Sequence, residues 1–430
     1  MCNKKNNIID ILEQRDILYQ ITDKTNLYKL LLYNNINLYC GFDLTADSLH
    51  IGHLIPIITL KYFQKLGHKP YIILGGATSL IGDPSFKSKE REFNSLDLIN
   101  QWYKNIYSQL YNFLEFNKNY NSAVIINNYD WFNKINILFF LKNIGKYFYI
   151  NQMMHKDAIR NRCTNNYNIN GISFTEFSYN LLQAYDFLHL KKQFNVVLQI
   201  GGSDQWGNII SGIDLIKKIY KDKVYGLTTN LILKSDGTKF GKTEKKTIWL
   251  DKKKTTPYTF FQFWLNISDD IVYNFLTMFT DIDKKLIRNM KYDNKNSLKT
   301  NSAQYLLAEY MTKMIHGESE LILTKKITNL LFNKKFESLS KDDFNFLIKN
   351  NIQHIILENH TYDIKKILIL SNFVSSYNKA INLIQSNSIY INNKIINDIN
   401  FMLNKNIHVK FNHFILLKKG KKNFCLIYWK

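Results

Sequence analysis

The chain has 430 residues, of which 45% are hydrophobic and 21% are charged. This length allows two or three domains with large buried cores, and the composition is that of a globular protein rather than a disordered one. The formal net charge is +22, from 57 basic and 35 acidic residues. The excess favours a polyanionic partner such as nucleic acid or a membrane surface, although a nucleotide bias that enriches Lys throughout the chain explains it equally well.

The cysteines and the N-terminal segment bear on the compartment. The four cysteines, at positions 2, 40, 163 and 425, form no CxxC pair, so neither a disulfide framework nor a zinc site is expected. The first 18 residues mix acidic and polar residues into an apolar stretch, unlike a signal peptide, and no run of 18 apolar residues occurs. We expect a cytoplasmic protein without a membrane partner.

Short apolar runs alternate with helical patterns through the first half of the chain. The predicted strands are 38–43, 70–77, 122–128 and 196–202, and the helices between them include 54–66 and 96–116. This alternation predicts an α/β fold with a Rossmann-like parallel sheet. Three glycine-containing segments, 41–43, 75–77 and 201–204, fall at strand ends. Since ligands bind at the carboxyl ends of such strands, these segments are expected to converge on one cleft.

The second half of the chain predicts two further domains. Residues 1–250 form the predicted Rossmann-like catalytic domain, and residues 251–328 turn helical and form a helical domain. Residues 329–360 are polar and irregular in pattern, which predicts a linker. Residues 361–430 predict a small α+β domain that ends in a lysine-rich hairpin at 418–422.

One candidate nucleotide segment is 39–53, which reads YCGFDLTADSLHIGH. A helix is expected to start around His50 with Ser48 as its cap. His50 and His53 would share one face of the first helical turn, where backbone amides and the helix dipole attract anions. Gly52 leaves room for a flat ring such as adenine. Metal binding is the alternative for the two histidines, but no third ligand is nearby and helical ligand pairs usually sit four residues apart.

A second candidate segment is 234–243, which reads KSDGTKFGKT. It lacks the spacing of a P-loop. Taken alone, it is typical of a lysine-rich hairpin tip in solvent. The functional alternative is that Lys239 and Lys242 close over a triphosphate and neutralise the charge that builds on leaving pyrophosphate.

Together these segments resemble the signatures of class I aminoacyl-tRNA synthetases, and the whole chain is similar to the bacterial-type tyrosyl-tRNA synthetases. Residues 50–53 match the HIGH signature, and 239–243 stand where KMSKS-type loops stand. Further matches are densest in 75–91, 171–186 and 199–208. The resemblance implies a tyrosine–tRNA ligase, which makes tyrosyl-adenylate and pyrophosphate from tyrosine and ATP and then transfers tyrosine to the 3′ end of its tRNA.

The implied tyrosine site centres on the helical segment 171–186. Tyr179, Gln183 and Asp186 recur there as one narrow polar stripe. From the pattern alone this is an amphipathic helix with a solvated side, although the stripe holds no Lys or Glu. The resemblance implies that Tyr179 and Gln183 hold the α-amino group of tyrosine and that Asp186 bonds its hydroxyl. It adds three more tyrosine-binding residues: Tyr39 at the hydroxyl, Asp83 at the ammonium, and Gln199.

The resemblance also implies an ATP site, with Mg²⁺ accompanying the nucleotide and no protein-bound metal or organic cofactor. The tyrosine carboxylate is already ionised, so the enzyme's task is positioning and charge stabilisation. The residues implied to bind ATP are Gly41, Asp43, His50, Gly52, His53, Gly201, Asp204, Gln205 and Lys242. Those implied to act on the reacting phosphates are Thr45, His50, His53, Lys87, Arg91, Lys239, Lys242 and Thr243.

The chain departs from the family pattern at three places. Leu44 replaces the usual proline, which predicts a looser turn, and Phe86 replaces a glycine in the loop that carries Lys87. Residues 385–388 replace a glycine-containing turn in the C-terminal domain. Asn387 is expected to supply the positive φ that this turn needs.

Two other functions and the assembly state remain to be considered. A catalytically inactive, RNA-binding relative predicts damage in the two signature segments, and neither shows any. A tryptophan enzyme would not need Asp186 opposite Tyr39. The resemblance implies a homodimer and an RNA-binding C-terminal domain, and the apolar segment 129–144 belongs either to the dimer interface or to the core.

Overall fold

The computed structural model describes residues 7–85, 93–117, 120–156, 172–232, 247–296, 302–332, 336–350, 352–358, 361–420 and 423–430. The chain folds into two units. The first comprises Met1–Thr255 and Phe263–Met311, and the second comprises Thr256–Gln262 and Thr312–Lys430.

The first unit is built on a six-stranded sheet with the order β1-β6-β5-β2-β3-β4. All neighbouring strands are parallel except β1 and β6, which pair antiparallel. This confirms the predicted Rossmann-like parallel sheet, while β1 and β6 were not predicted. The strands are β1 Leu18–Ile21, β2 Asn37–Asp43, β3 Lys69–Gly75, β4 Val124–Asn127, β5 Val196–Gly202 and β6 Tyr225–Thr229.

The strand order determines where the functional cleft lies. From β2 the chain proceeds through β3 to β4 on one side, whereas β5 and β6 lie on the other. The order therefore reverses between β2 and β5, and a crevice forms at the carboxyl ends of strands at such a point. In register, Asp43 at the end of β2 stands beside Gly75 of β3.

Helices connect these strands and continue the chain after β6. The longest, α9, begins after Ser173, whose side chain accepts from the amide of Glu176, and ends at Asn195 in a left-handed conformation. It contains the predicted polar stripe and continues past residue 186. The helices are α1 Ile8–Gln14, α2 Lys24–Tyr33, α3 Leu54–Lys65, α4 Thr78–Ile81, α5 Leu96–Leu110, α6 Tyr129–Phe132, α7 Ile137–Asn143, α8 Ile150–Met154, α9 Phe174–Phe194, α10 Trp206–Tyr220, α11 Pro257–Leu265, α12 Asp269–Phe279, α13 Lys284–Asn296 and α14 Ser302–His316.

The second unit holds a five-stranded sheet, β10-β9-β12-β13-β7, and a two-stranded sheet, β11-β8. Its helices are α15 Glu318–Phe332, α16 Lys341–Lys349, α17 Ile364–Leu370, α18 Tyr377–Gln385 and α19 Lys405–His408. Its strands are β7 His354–Leu357, β8 Thr361–Asp363, β9 Ile389–Ile391, β10 Lys394–Ile396, β11 Met402–Asn404, β12 Phe414–Lys419 and β13 Asn423–Trp429. Ile367 of α17 and Ile384 of α18 lie in one buried apolar cluster with Trp429 of β13.

Two sequence predictions fall in this unit. The predicted linker, 329–360, contains α16 and also β7, which pairs in parallel with β13. The turn 385–388 is formed as expected, because Asn387 adopts a φ of 52°. An asparagine tolerates this left-handed conformation better than most residues, so it replaces glycine here.

A helix that crosses a bilayer must be long and predominantly apolar. Within the described ranges, no helix is long and apolar enough to cross a membrane.

Candidate active site

A cavity of about 310 Å³ lies at the carboxyl ends of β2 and β5. It brings together every predicted site residue that the structure describes. The tyrosine set in its lining is Tyr39, Asp83, Tyr179, Gln183, Asp186 and Gln199. The nucleotide and phosphate set is Gly41, Asp43, Thr45, His50, Gly52, His53, Gly201, Asp204 and Gln205. The other five predicted residues lie outside the described residues: Lys87, Arg91, Lys239, Lys242 and Thr243.

One part of the cavity wall presents a phenol to the interior. Tyr39 lies on β2, is 1% exposed, and packs its ring against Phe187 with the centroids 5.3 Å apart. Burial raises the pKa of Tyr39 well above its usual value, and the neighbouring Asp186 adds to the rise. The Tyr39 hydroxyl is buried and has no hydrogen-bond partner among the described residues. A buried hydroxyl without a partner is costly, so a ligand that hydrogen-bonds to it is stabilised.

Asp186 lies on α9 and is buried with two side-chain donors on its carboxylate. Trp131 Nε1 donates to Oδ1 at 2.9 Å, and Asn128 Nδ2 donates to Oδ2 at 3.1 Å. Burial raises the pKa of Asp186 well above its usual value, while these two hydrogen bonds act in the opposite direction and the charge of Asp43 adds to the rise. The carboxylate has more acceptor positions than the two donors occupy.

Trp131 and Asn128 are functional residues that the sequence interpretation missed. Asn128 directly follows β4, and Trp131 lies in α6, the short helix that comes next, at the same sheet edge as the other strand-end residues. The convergence rule for parallel strands was applied to the ends of β2, β3 and β5 only. The end of β4, which was itself predicted as a strand, was the signal available for finding them.

A second group of acceptors lies along α9 and near it. Tyr179 donates its hydroxyl hydrogen to Asp43 Oδ2 at 2.8 Å, which leaves the oxygen lone pairs as acceptors. The Asp83 carboxylate accepts from the Ser85 amide at 3.0 Å and from Gln205 Nε2 at 2.7 Å. Gln183 Oε1 is buried and finds no partner among the described residues. Three acceptors in one wall suit a ligand ammonium, which has three donors.

The two histidines of the HIGH segment hold each other by reciprocal capping. The Gly52 amide donates to His50 Nδ1 and the His50 amide donates to His53 Nδ1, both at 3.1 Å. Because each Nδ1 accepts, the proton of each neutral ring lies on Nε2. The rings stack with centroids 3.9 Å apart. The pair thus carries two Nε2–H donors, the type of group that binds phosphate oxygens.

The predicted cap was wrong. Ser48 does not cap the turn Ile51–His53; its Oγ donates to the Leu49 carbonyl at 2.8 Å and to Gln109 Oε1 at 3.3 Å. His50 takes the capping position instead. Gly52 has a packing reason to be glycine, because a Cβ there would lie 2.9 Å from His50 Cε1.

Comparison with known proteins identifies the family of this chain. A family model described as tRNA synthetases class I (W and Y) matches residues 33–333, which is more than half of the chain. The chain belongs to this family of class I tRNA synthetases. A second model, the tyrosine–tRNA ligase SYY-like C-terminal domain, matches residues 344–427 of this synthetase.

Relatives that match this synthetase over nearly their full length are named tyrosine–tRNA ligases. The tyrosine–tRNA ligase of Blochmanniella pennsylvanica is 50% identical, with 100% of both chains covered. That of Buchnera aphidicola subsp. Baizongia pistaciae is 49% identical, with 98% of each chain covered. Among solved structures, the C-terminally truncated mitochondrial tyrosyl-tRNA synthetase of Aspergillus nidulans is 28% identical with a TM-score of 0.67. The match covers 76% of this chain and 94% of that chain.

The replacement of proline by Leu44 has a local explanation in this synthetase. The Leu44 amide donates to Ser79 Oγ at 2.6 Å, a bond that proline cannot make. The Leu44 side chain is also fully buried. This turn is therefore held by a hydrogen bond, where the sequence predicted a looser one.

A larger cavity, of about 780 Å³, lies away from these residues. Its lining includes Asn35 and His68, which precede β2 and β3 and so lie at the amino ends of those strands. None of the predicted site residues lines it. In parallel α/β sheets ligands bind at the carboxyl ends, so the smaller cavity is the candidate active site of this synthetase.

Proposed function

We propose that this chain is a tyrosine–tRNA ligase that activates tyrosine with ATP and then transfers it to the 3′ end of a tyrosine-specific tRNA. One observation carries the choice of tyrosine. The Tyr39 hydroxyl, which has no hydrogen-bond partner in the described part of the chain, and the Asp186 carboxylate line the same cavity. They are close enough for the charge of Asp186 to act on Tyr39. The names and full-length coverage of the relatives support this choice.

The proposed substrate hydroxyl lies between these two groups. It donates to Asp186 and interacts with the Tyr39 hydroxyl. Phenylalanine would leave both groups buried without this partner, and indole has no group at that position. Tyrosyl-tRNA synthetases are themselves the standard illustration of this effect, with discrimination of about 10⁵ against phenylalanine without editing.

The opposite end of tyrosine is proposed to bind through its ammonium group. Tyr179 Oη, Asp83 and Gln183 Oε1 provide three acceptors for its three hydrogens. The hydroxyl hydrogen of Tyr179 is engaged by Asp43, so its oxygen is oriented as an acceptor. Gln199 Oε1, also buried without a partner among the described residues, lies in the same cavity beside the proposed substrate.

Activation is proposed to proceed by in-line displacement. A carboxylate oxygen of tyrosine attacks the α-phosphorus of ATP, and the bond to the leaving pyrophosphate breaks. Gly41, Asp43, Gly201 and Asp204 are proposed at the nucleotide, with Gln205 beside the reacting carboxylate. Charge on the leaving phosphates is stabilised by Thr45 and by the Nε2–H groups of the two histidines.

Residues outside the described ranges complete the proposal for ATP. We assign Lys87, Arg91, Lys239, Lys242 and Thr243 to the clamp on pyrophosphate, with Mg²⁺ entering bound to ATP. In the second step a terminal ribose hydroxyl of tRNA loses its proton and attacks the tyrosyl carbonyl carbon. The bond between that carbon and the phosphate oxygen breaks, and AMP leaves. Residues 1–250 are proposed to form the catalytic domain and residues 251–328 the helical domain. Residues 329–360 are proposed to link the helical domain to the C-terminal domain, 361–430, which is proposed to bind tRNA.

Amino-acid-dependent exchange between ATP and labelled pyrophosphate tests the proposal. We expect exchange with tyrosine and almost none with phenylalanine or tryptophan, because only tyrosine fills the hydroxyl site. Charging of total tRNA with labelled tyrosine then tests the second step. Absence of exchange with tyrosine, or equal exchange with tryptophan, would contradict the proposed function.

A homodimer is also proposed, because the first turn of α7 exposes large apolar side chains. Ile137, Leu138 and Phe139 are 63%, 72% and 54% exposed. A contiguous exposed apolar patch marks an interaction surface, and the partner proposed for it is a second copy of this chain.

We expect Leu138→Glu to give a monomer in sedimentation velocity. Ile322→Glu is the matched control, since Ile322 is 60% exposed in the other unit, and it should leave the dimer intact. A Leu138→Glu variant that sediments as the wild type does would contradict this interface.

A further inference from the structure

A chain of four side-chain hydrogen bonds leads from Lys156 to the active-site carboxylate Asp83. Lys156 Nζ donates to Asn180 Oδ1 at 2.8 Å, and Asn180 Nδ2 donates to Asn208 Oδ1 at 2.6 Å. Asn208 Nδ2 then donates to Gln205 Oε1 at 3.2 Å, and Gln205 Nε2 donates to Asp83 Oδ2 at 2.7 Å. Lys156 itself does not line the cavity, so it has no part in the mechanism described above.

Lys156 is firmly held at the far end of this chain. Besides Asn180, its ammonium donates to the Gly207 carbonyl at 3.3 Å and to Ser211 Oγ. These three acceptors match its three hydrogens. Burial lowers the pKa of Lys156 to about 8, and the charge of Asp214 opposes this lowering. The group is therefore mostly protonated at neutral pH and acts only as a donor.

The two ends of the chain determine the direction of every bond in it. A side-chain amide has a donor end and an acceptor end, and by itself it can turn either of them toward a neighbour. An ammonium can only donate, so it requires the oxygen of Asn180 to face it. A carboxylate can only accept, so it requires the nitrogen of Gln205 to face it. Both ends demand the same orientation of the three amides between them.

We propose that Lys156 is a positioning residue for the site that receives the substrate ammonium. By fixing the direction of the amide chain, it presents Gln205 Nε2, and not Oε1, to Asp83. With the chain reversed, the oxygen of Gln205 would face the carboxylate and repel it from the place where it meets the ammonium. This inference rests on the proposed function, because it assigns Asp83 to tyrosine binding.

Replacing the lysine with a residue of similar length tests the proposal. We expect Lys156→Met to raise the KM for tyrosine about 5- to 10-fold, the effect of one hydrogen bond, with kcat and the KM for ATP changed less than about twofold. Lys156→Arg keeps a donor-only cation and should recover most of the tyrosine affinity. Lys218→Met is the control, because Lys218 Nζ donates to the Tyr147 carbonyl nearby but is not part of the chain.

A second variant separates this role from simple packing. In Asn180→Asp the new carboxylate still accepts from Lys156. If Lys156 had only a structural role, its hydrogen bond to position 180 would therefore be kept or strengthened, and tyrosine binding would not change. The new side chain cannot donate to Asn208, however, so the two remaining amides lie between two acceptor-only carboxylates and cannot satisfy both, which weakens the donation from Gln205 Nε2 to Asp83. We expect the KM for tyrosine to rise about tenfold or more, beyond that of Asn180→Ala, with the melting temperature maintained.

The outcomes are distinguishable in the same exchange assay. A wild-type enzyme without tyrosine-dependent exchange would refute the proposed function and not this inference. A wild-type enzyme with exchange, together with an unchanged KM for tyrosine in both Lys156→Met and Asn180→Asp, would overturn the inference alone. A loss confined to melting temperature and kcat would likewise show Lys156 to be structural.

Discussion

Replacing Asp186 with alanine is expected to lower kcat/KM for tyrosine by about 10² to 10³. The variant loses a hydrogen bond between a charged acceptor and the substrate hydroxyl, worth about 1.5–3 kcal/mol. It also removes the acceptor of the Trp131 Nε1–H and of one of the two Asn128 Nδ2–H groups, at a further cost of about 1–3 kcal/mol. The two contributions add to about 2.5–6 kcal/mol. A loss of about 3–4 kcal/mol, within that sum, corresponds to the expected decrease, since each tenfold step is about 1.4 kcal/mol. Pyrophosphate exchange over a range of tyrosine concentrations measures it.

Tyr39→Phe is the milder companion to this variant. It removes a hydroxyl that has no protein partner among the described residues, so no protein group is left unpaired. We expect a loss of about fivefold in kcat/KM for tyrosine and a weaker discrimination against phenylalanine. Retention of wild-type selectivity in both variants would place the hydroxyl site elsewhere in the cavity.

Replacing His50 with alanine is expected to lower kcat by about 10² to 10³ while the Kd for tyrosine stays nearly unchanged. His50 is proposed to meet the phosphates through its Nε2–H, and a donor directed at charge that develops in the transition state typically contributes this much. The tyrosine-binding groups lie on other elements. Equilibrium dialysis with tyrosine and stopped-flow formation of the adenylate separate binding from the reaction. If tyrosine binding were abolished, the assigned role of His50 would be wrong.

His50→Asn controls for the structural role of the same side chain. His50 caps the turn by accepting from the Gly52 amide, and asparagine is among the best residues for this position. We expect a melting temperature near that of the wild type in this variant, with activation still slowed. A return to the wild-type rate would show that capping, and not a phosphate contact, is what the reaction requires.

The fold of the first unit was largely predictable because its central strands are apolar runs buried on both faces. The predicted strands matched β2, β3, β4 and β5 to within a few residues. Strand β6 was missed because its sequence, YGLTT, has little apolar or alternating character, although the structure buries it fully. Strand β1 has only four residues and pairs with β6 at the edge, so its pairing depends on a strand that was itself not predicted.

The candidate site was predictable where its residues lie on one element or at a recognised motif. The spacing along α9 fixed one polar stripe, and the strand-end rule placed several glycines and acids in the cavity. The strand-end rule, applied to β4, could have placed Trp131 and Asn128 near the cavity, but it could not have shown that they donate to Asp186. Their role depends on the end of β4 lying beside α9, about 55 residues later in sequence, which no local pattern records.

The amide of Asn128 has a consequence for how such an enzyme can evolve. Its oxygen accepts from the Ala77 amide at 2.8 Å, and its nitrogen donates to Thr78 Oγ1 and to Asp186. A lineage that drifts toward a different amino acid must change Asp186, and at that step Asn128 and Trp131 both lose a buried acceptor. A variant changed only at Asp186 therefore has a lower free energy of unfolding before it recognises any new substrate. A new specificity is thus favoured when the three residues change together. These buried hydrogen bonds therefore oppose any single substitution at Asp186.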